Sequence, residues 1–296
     1  MMLLILLGGG LLIGGCNVFD FANSSPETVD ALLDSARSAL AAGNSSRAVR
    51  LLEQAFKKDS TDVRVRVELG NALHTDRGLD IFALRSAGKH LVIPADSAIS
   101  SRVPSSGSTP KRTVCTDEAQ PRQAPNRYTA VPLDAEPLRF LSARRTVVER
   151  VHDLVVEGVL RRRTEAFMDT RIATRRKGLL VGAVTTAAKQ LIDVQEVFEE
   201  TGGTLFLDRG AEQGRALLAC TETEEALRRS NRALCTLGGA TRQAIRWLRD
   251  RQQPSEDSQE AVLIDRLQSV TSAASARTAC SKSPSVARPA TTSAPN

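Results

Sequence analysis

The sequence predicts an all-α protein with a helical hairpin, a linker rich in proline and serine, and a C-terminal helical bundle. Three observations favour this class. Aromatic residues make up only 3% of the 296 residues, whereas β-sheets are enriched in them. Alanine, leucine, arginine and glutamate are abundant, and these residues favour helices. Apolar residues recur at the three- and four-residue spacing of amphipathic helices in residues 27–93 and again in residues 138–270.

Residues 1–15 form an uncharged apolar stretch, MMLLILLGGGLLIGG, that ends directly before Cys16. This stretch is shorter than the roughly 20 apolar residues of a membrane-spanning helix, and glycines interrupt it. A short apolar core that ends in small residues is typical of a secretory signal peptide. The alternative is a buried apolar segment with an ordinary cysteine.

The end of this stretch, Ile13-Gly14-Gly15-Cys16, resembles the lipobox of bacterial lipoproteins. The resemblance implies cleavage between Gly15 and Cys16, followed by lipidation of the Cys16 thiol. The sequence departs from the usual pattern because no Lys or Arg precedes the apolar core. Two or three acyl chains would anchor the protein stably, whereas one chain binds a membrane only marginally. The resemblance therefore implies a cell-envelope location, and Asn17 at the next position favours the outer membrane, facing the periplasm.

Residues 16–26 are expected to be a tether, and residues 27–93 to form a helical module. Its apolar spacing is interrupted at Gly43-Asn44-Ser45, where Gly43 can end one helix and a serine can cap the next. A third helix is predicted to begin near Asp62.

This module resembles the tetratricopeptide repeat, a 34-residue helix pair with small residues where its helices cross. Ala36 and Gly70 lie 34 positions apart and match the same small-residue position. The resemblance covers one complete repeat and the first helix of a second, although Ser60 stands where proline is usual. An ordinary helical hairpin is the alternative. The residues expected to pack the repeat are Leu32, Ala36, Gly43, Ala48, Leu52, Ala55 and Gly70.

Because about three such repeats are normally needed for stability, the module is expected to pack on another part of the chain or on a partner. Residues 94–137 contain seven prolines and are expected to be a linker without a packed core. The bundle, residues 138–270, is expected to include a helix that ends at Gly202-Gly203, a helix near residues 208–219 and another that closes at Gly238-Gly239. Trp247 is expected to belong to a further helix. Residues 271–296 are rich in Ser, Ala, Thr and Pro and are expected to be disordered.

Lipidation of Cys16 would leave four cysteines, which in an exported protein allow two disulfides. Four unpaired thiols are the alternative. A helix over residues 222–236 would separate Cys220 from Cys235 by about 22 Å, too far for a disulfide. Each of these two is therefore expected to pair with Cys115 or Cys280.

Charge is unevenly distributed in a chain of net charge +6. Residues 138–177 contain eleven basic and five acidic residues, whereas residues 193–225 contain two basic and nine acidic residues. The simpler interpretation is that these helices complement each other or are solvated. The alternative is that basic side chains contact anionic lipid or an acidic envelope polymer. The cations concerned are Arg161, Arg162, Arg163, Arg175, Arg176 and Lys177.

The sequence contains no motif for a catalytic, metal or cofactor site. The H-E-x-x-H, G-x-S-x-G, Walker and CxxC patterns are missing. His74, His90 and His152 lie far apart and are expected to be surface or helix-cap residues. Nucleic-acid binding is not expected, because aromatic residues for base stacking are scarce. No enzymatic activity, cofactor or metal is therefore predicted.

The expected function is that of a lipid-anchored, non-catalytic adaptor that binds another envelope protein through the repeat-like module. The alternative is a structural or regulatory factor in envelope assembly or transport, with a basic helix on anionic lipid or polymer.

Overall fold

The computed structural model describes residues 28–92, 114–116, 121, 124, 126–162, 165–211, 214–251 and 259–275. The predicted signal peptide and tether, Cys16, Arg163 and Cys280 lie outside the described residues. So do residues 276–296 of the predicted tail, whereas residues 271–275 are helical, and the prediction of disorder was wrong for them. The described helices are α1 (Val29–Ala41), α2 (Ser45–Lys58), α3 (Val63–Arg77), α4 (Ile81–Val92), α5 (Glu136–Ser142), α6 (Arg145–Val151), α7 (Glu165–Met168), α8 (Ile172–Thr201), α9 (Glu224–Arg251) and α10 (Gln259–Ser275). A π-helix, His152–Leu160, continues directly from α6.

Four strands join these helices: β1 (Val114–Cys115), β2 (Tyr128–Ala130), β3 (Thr204–Ala211) and β4 (Gly214–Thr221). They form an antiparallel sheet in the order β1-β4-β3-β2. The protein is therefore mostly helical, as predicted, but not all-α. The first two strands lie inside the predicted linker, so the described part of residues 94–137 contributes to the fold.

The β3–β4 hairpin replaces the helix that was predicted near residues 208–219, and that prediction is wrong. In β3, buried Leu205 and Leu207 alternate with the more exposed Thr204 and Phe206, which is the period of a strand, although the next residue, Asp208, is also buried. In β4, residues 216–221 are all buried. A short, continuously buried run is compatible with a central strand, and its periodicity alone does not distinguish it from a buried helix.

Side-chain caps define the first three helices. The side chains of Thr28, Asn44 and Asp62 each accept a hydrogen bond from a backbone N–H in the first turn of α1, α2 and α3. Asn44, rather than either following serine, is therefore the cap of α2. Gly43 adopts a positive φ of 75° in the preceding turn, a conformation that glycine adopts readily.

Helices α1, α2 and α3 each pack on the helix next to them in sequence, and this pattern ends at α4. Helix α4 makes few contacts with α3 and packs instead on α10 and α5. Helix α3 packs on α8, the π-helix and α6. The α1–α3 module therefore rests on the rest of its own chain, one of the two arrangements expected from the sequence.

Gly70 marks the closest approach in this packing. A Cβ atom at Gly70 would lie 2.6 Å from Cγ2 of Val155 in the π-helix and 3.4 Å from Cγ1 of Val181 in α8. Its small size thus serves contact with the bundle. The other residues expected to pack the repeat, apart from exposed Gly43, are buried: Leu32, Ala36, Ala48, Leu52 and Ala55.

Two long helices, α8 and α9, pack along each other. Gly202, in the left-handed conformation, ends α8 where the sequence predicted an end. Gly238 and Gly239 do not end α9, which continues to Arg251, so that prediction is wrong. A helical glycine costs about 1 kcal/mol relative to alanine, and packing of α9 on both α8 and α10 outweighs this cost.

A disulfide joins Cys115 of β1 to Cys220 of β4, adjacent strands of the sheet. Cys235 is also disulfide-bonded, and its partner lies outside the described residues. The expectation that Cys220 pairs with Cys115 or Cys280, and not with Cys235, agrees with this bond. In the described part of the chain, no helix is long and apolar enough to cross a membrane.

Candidate functional site

The described structure has a surface groove between the π-helix, α8 and α9. It consists of two adjoining depressions of about 530 and 510 Å³ that share Leu160 and Trp247. We call it the Trp247 groove. The segment from α7 to the first turns of α8 forms the outer wall of the second depression.

The π-helix provides one wall of the groove because of its wider backbone turn. Its end shows the i to i+5 pattern, with Arg161 N–H donating to the Val156 carbonyl at 2.8 Å. π-Helical turns are rare and frequently occur at functional sites. Gly158 of this turn faces α3, and a Cβ at this position would meet the flexible end of the Arg66 side chain.

The first depression is lined by polar side chains. His152, Gln190, Thr236 and Gln243 contribute to it. Thr186 also lines it, but its hydroxyl is buried and has no hydrogen-bond partner in the described structure. A buried polar atom without a partner costs free energy, so this hydroxyl is a local cost to the fold and not an exposed contact point.

His152 has a pKa below its ordinary value. Burial is the main cause, because it disfavours the charged imidazolium, while Glu157 acts in the opposite direction. Its Nδ1 lies 3.8 Å from a Glu157 carboxylate oxygen. His152 therefore presents a largely neutral ring to the first depression at neutral pH. It is the C-cap residue of α6, one of the two positions expected from the sequence, and it also lines the groove.

The second depression is apolar at its base and basic along its side. Phe167 and Leu179 line it together with the two shared residues. Met168 and Ile172 lie at its edge and are 57% and 58% exposed, unusually high for large apolar residues. Arg175 and Arg176 from α8 also line it, and neither has an ion-pair partner within the described ranges.

Five of the six cations singled out in the sequence are described, and their environments differ. Arg161 pairs with Glu157 at 2.7 Å, and Lys177 pairs with Glu68 at 2.7 Å. Arg162 is exposed, and Arg163 lies outside the described residues. Only Arg175 and Arg176, in the Trp247 groove, combine a concave setting with unpaired charge.

Lys177 has a structural environment rather than a surface one. The carboxylate of Glu68 in α3, only 4% exposed, accepts hydrogen bonds from Lys177 at 2.7 Å and from Arg37 of α1 at 3.3 Å. A buried carboxylate needs such partners. This cluster joins α1, α3 and α8, and it pairs the charge of Lys177 within the fold.

His74 is buried, which corrects the expectation of a surface or cap position. Its Nε2 lies 3.0 Å from the Thr185 hydroxyl, and that hydroxyl donates to the Val181 carbonyl at 2.6 Å. Nε2 therefore carries the hydrogen in this pair, and the ring is neutral. Desolvation lowers the pKa of His74 to about 4. Since both residues are buried, this threonine–histidine contact is a core hydrogen bond without substrate access.

No cluster of His, Cys, Asp or Glu within the described residues is arranged to bind a metal ion. No family model matches the chain, and no curated protein or solved structure is significantly similar to it. Function is therefore argued from the groove and the surfaces of this chain alone.

Sequence reasoning missed most of the groove. Trp247 was assigned to a helix without a role, and Met168, Ile172 and Thr186 were not singled out. Two signals were available in the sequence. Tryptophan occurs once in the chain, and the apolar residue Ile172 stands three positions before the arginine pair Arg175 and Arg176. Trp247 and the two arginines come together only through the packing of α9 on α8, which cannot be read from the sequence.

Proposed function

We propose that this protein is a lipid-anchored, non-catalytic adaptor of the bacterial cell envelope, which binds a segment of another envelope protein in the Trp247 groove. The observation that carries the proposal is the groove itself. It combines two adjoining depressions with exposed apolar side chains beside unpaired arginines. Such a surface suits a bound chain segment better than a reaction, because the described residues that line it include no nucleophile hydrogen-bonded to a base.

The chemistry of the groove indicates an acidic partner segment with large apolar anchors. Met168, Ile172 and Phe167 offer an apolar surface, and burial of such anchors dominates the affinity of helix- or strand-in-groove complexes. Arg175 and Arg176 select carboxylates by bidentate hydrogen bonding. Asp250 lies at the same edge and would disfavour a second carboxylate there, which helps to fix the direction of the segment.

The α1–α3 module supports a different role from the one expected at first. We infer a tetratricopeptide-like unit from the starts of α1 and α3, Val29 and Val63, which are 34 residues apart. A partner would have to compete for α3 with α8 and the π-helix, on which it packs. The repeat-like unit is therefore proposed as a docked support for the bundle, while the bundle supplies the binding surface.

Photo-crosslinking in the native host tests the groove. A photoreactive amino acid at Met168 or Ile172 should capture an envelope protein, and the crosslink should disappear in the double variant Arg175→Glu, Arg176→Glu. The matched control is Phe82 of α4, which is 57% exposed but outside the groove. A product of equal yield at Phe82, or no product at either groove position, would overturn the proposal.

The captured segment can then be examined with purified protein. Trp247 is the single tryptophan of the chain, so its fluorescence reports on the groove without interference. A synthetic peptide of the captured segment should shift this emission in a saturable manner, and the same peptide with Lys in place of its acidic residues should not. Identical binding of both peptides would contradict the role assigned to Arg175 and Arg176.

The anchor is tested separately. Mass spectrometry of the protein from its native host should give a mature N-terminal peptide that begins at Cys16 and carries a diacylglycerol mass. Unmodified Cys16 within a full-length chain would exclude the anchor and leave the groove proposal unaffected.

A further inference from the structure

Helix α2 carries a basic face that belongs neither to the Trp247 groove nor to the predicted cation set. The side chains of Arg47, Arg50, Lys57 and Lys58 are all exposed. At 100° per residue they lie within an arc of about 100°, with Gln54 between them. We call this surface the α2 basic face.

No carboxylate of the described structure pairs with any of these four cations. Glu53, the acidic residue of α2, pairs instead with Arg150 at 2.9 Å. At the two ends of the helix, Asp76 accepts hydrogen bonds from Ser45 and Ser46, and Asp59 accepts from Thr61. Nearby carboxylates are therefore engaged elsewhere, and the like charges along α2 repel each other mildly in solution.

The opposite side of α2 holds the helix in place. Ala48, Leu52 and Ala55 are completely buried, and α2 packs on α1 and α3. The basic face consequently points away from these two helices and has a fixed orientation. A rigid array of unpaired cations over about three turns is suited to a flat anionic surface rather than to a single small anion.

We propose that the α2 basic face lies on anionic phospholipid headgroups of the membrane that carries the protein. The location follows from the proposed anchor, since the chain from Cys16 to Thr28 can reach at most about 40 Å. The α1–α2 unit therefore remains close to the bilayer. The affinity follows from the charge, because each Lys or Arg near an anionic membrane strengthens binding roughly fivefold.

The contact is electrostatic and peripheral. No large apolar side chain lies within the basic arc, so nothing in it would insert into the hydrocarbon region. Headgroup attraction of this kind decays within a Debye length of about 8 Å at physiological salt. Binding should therefore weaken steeply as salt is raised.

Vesicle co-sedimentation tests the proposal without the lipid anchor. The mature chain with Cys16→Ser should bind vesicles that contain phosphatidylglycerol, and not vesicles of pure phosphatidylcholine, at low salt. The double variant Arg50→Gln, Lys57→Gln should bind about 30-fold more weakly, from a factor of about five for each cation. The matched control, Arg139→Gln with Arg228→Gln, removes two exposed cations of other helices and should bind like the parent chain.

Circular dichroism and urea unfolding would verify that each variant is folded. Equal binding to both kinds of vesicle, no binding to either, or equal losses in the two double variants would overturn the proposal. None of these results bears on lipidation at Cys16 or on crosslinking from the Trp247 groove, so a failure here is distinguishable from a failure of the proposed function.

Discussion

Substitution of Gly70 by alanine tests the docking of α3 on the bundle. The added Cβ would lie 2.6 Å from Cγ2 of Val155, 3.3 Å from Cγ1 of Val151 and 3.4 Å from Cγ1 of Val181. All three valines are buried. Because valine is branched at Cβ and has a restricted χ1, these side chains cannot move away by a simple rotation, and the helices must separate slightly.

The size of the effect follows from two opposing contributions. Overpacking of a core costs about 1–3 kcal/mol, whereas exchange of glycine for alanine within a helix gains about 1 kcal/mol. We therefore expect Gly70→Ala to lower the free energy of unfolding by about 1 kcal/mol, within a range from zero to about 2 kcal/mol.

Gly88 of α4 provides the matched control. A Cβ there would have its nearest neighbour, Cγ2 of Val270, at 3.9 Å, an ordinary van der Waals distance. Gly88→Ala should gain the higher helix propensity of alanine without the cost of overpacking. It should therefore raise the free energy of unfolding by up to about 1 kcal/mol.

Urea unfolding followed by circular dichroism, with an unchanged m-value, measures both variants against the parent protein. Opposite signs for the two substitutions are the expected result. A Gly70→Ala protein as stable as Gly88→Ala would show that α3 does not approach the bundle closely, and would refute the packing argument.

Three further predictions concern buried groups. Glu68→Gln should lower the free energy of unfolding by about 2 kcal/mol in urea titrations, because it leaves two partly buried cations without their carboxylate, whereas Asp34→Asn, at an exposed partner of the same network, should change it by less than about 0.5 kcal/mol. His74 has a folded-state pKa of about 4 against an ordinary 6.5. The contribution of neutral His74 to the free energy of unfolding should therefore be complete above pH 6.5 and should fall by roughly 3 kcal/mol as the pH drops toward 4. In His74→Gln, the free energy of unfolding measured by urea titration should depend less steeply on pH across this range. An equally steep decline in the variant would contradict the assignment. The Cys115–Cys220 bond closes a separation of 105 residues, so its replacement by serines should cost up to about 4.7 kcal/mol, and non-reducing peptide mapping should recover this pair and no Cys220–Cys235 peptide.

The sequence predicted most accurately where local signals determine the structure. The turn at Gly43 and the end of α8 at Gly202 both depend on a glycine in the left-handed conformation, and neither depends on distant residues. The start of α3 near Asp62 was also predicted, because the side chain of Asp62 itself caps this helix. For such features a short window of sequence contains the physical cause.

Prediction was wrong where burial replaced local preference. Residues 216–221 of β4 are all buried, and both α9 and α10 pack on this strand. A strand in this position has no polar face, so its sequence lacks the alternation by which strands are recognised. The low aromatic content also favoured the wrong prediction of an all-α fold. A sheet of four short strands that helices cover can form with few aromatic residues.

The Trp247 groove was not predictable for a different reason, namely that its form depends on three glycines whose roles are tertiary. Gly158 of the π-helix faces Arg66 of α3, and a side chain at Gly182 would collide with Leu160 and lie 3.6 Å from the ring of Trp247. Gly182 thereby allows the two residues shared by both depressions to approach α8. Gly239 lines the first depression, and its nearest neighbour for an added Cβ is 4.0 Å away, so its lack of a side chain leaves that depression wider. The glycine pair interpreted in the sequence as the end of a helix is thus a part of α9 that borders the groove, and an alanine at position 239 should narrow the groove without shortening the helix.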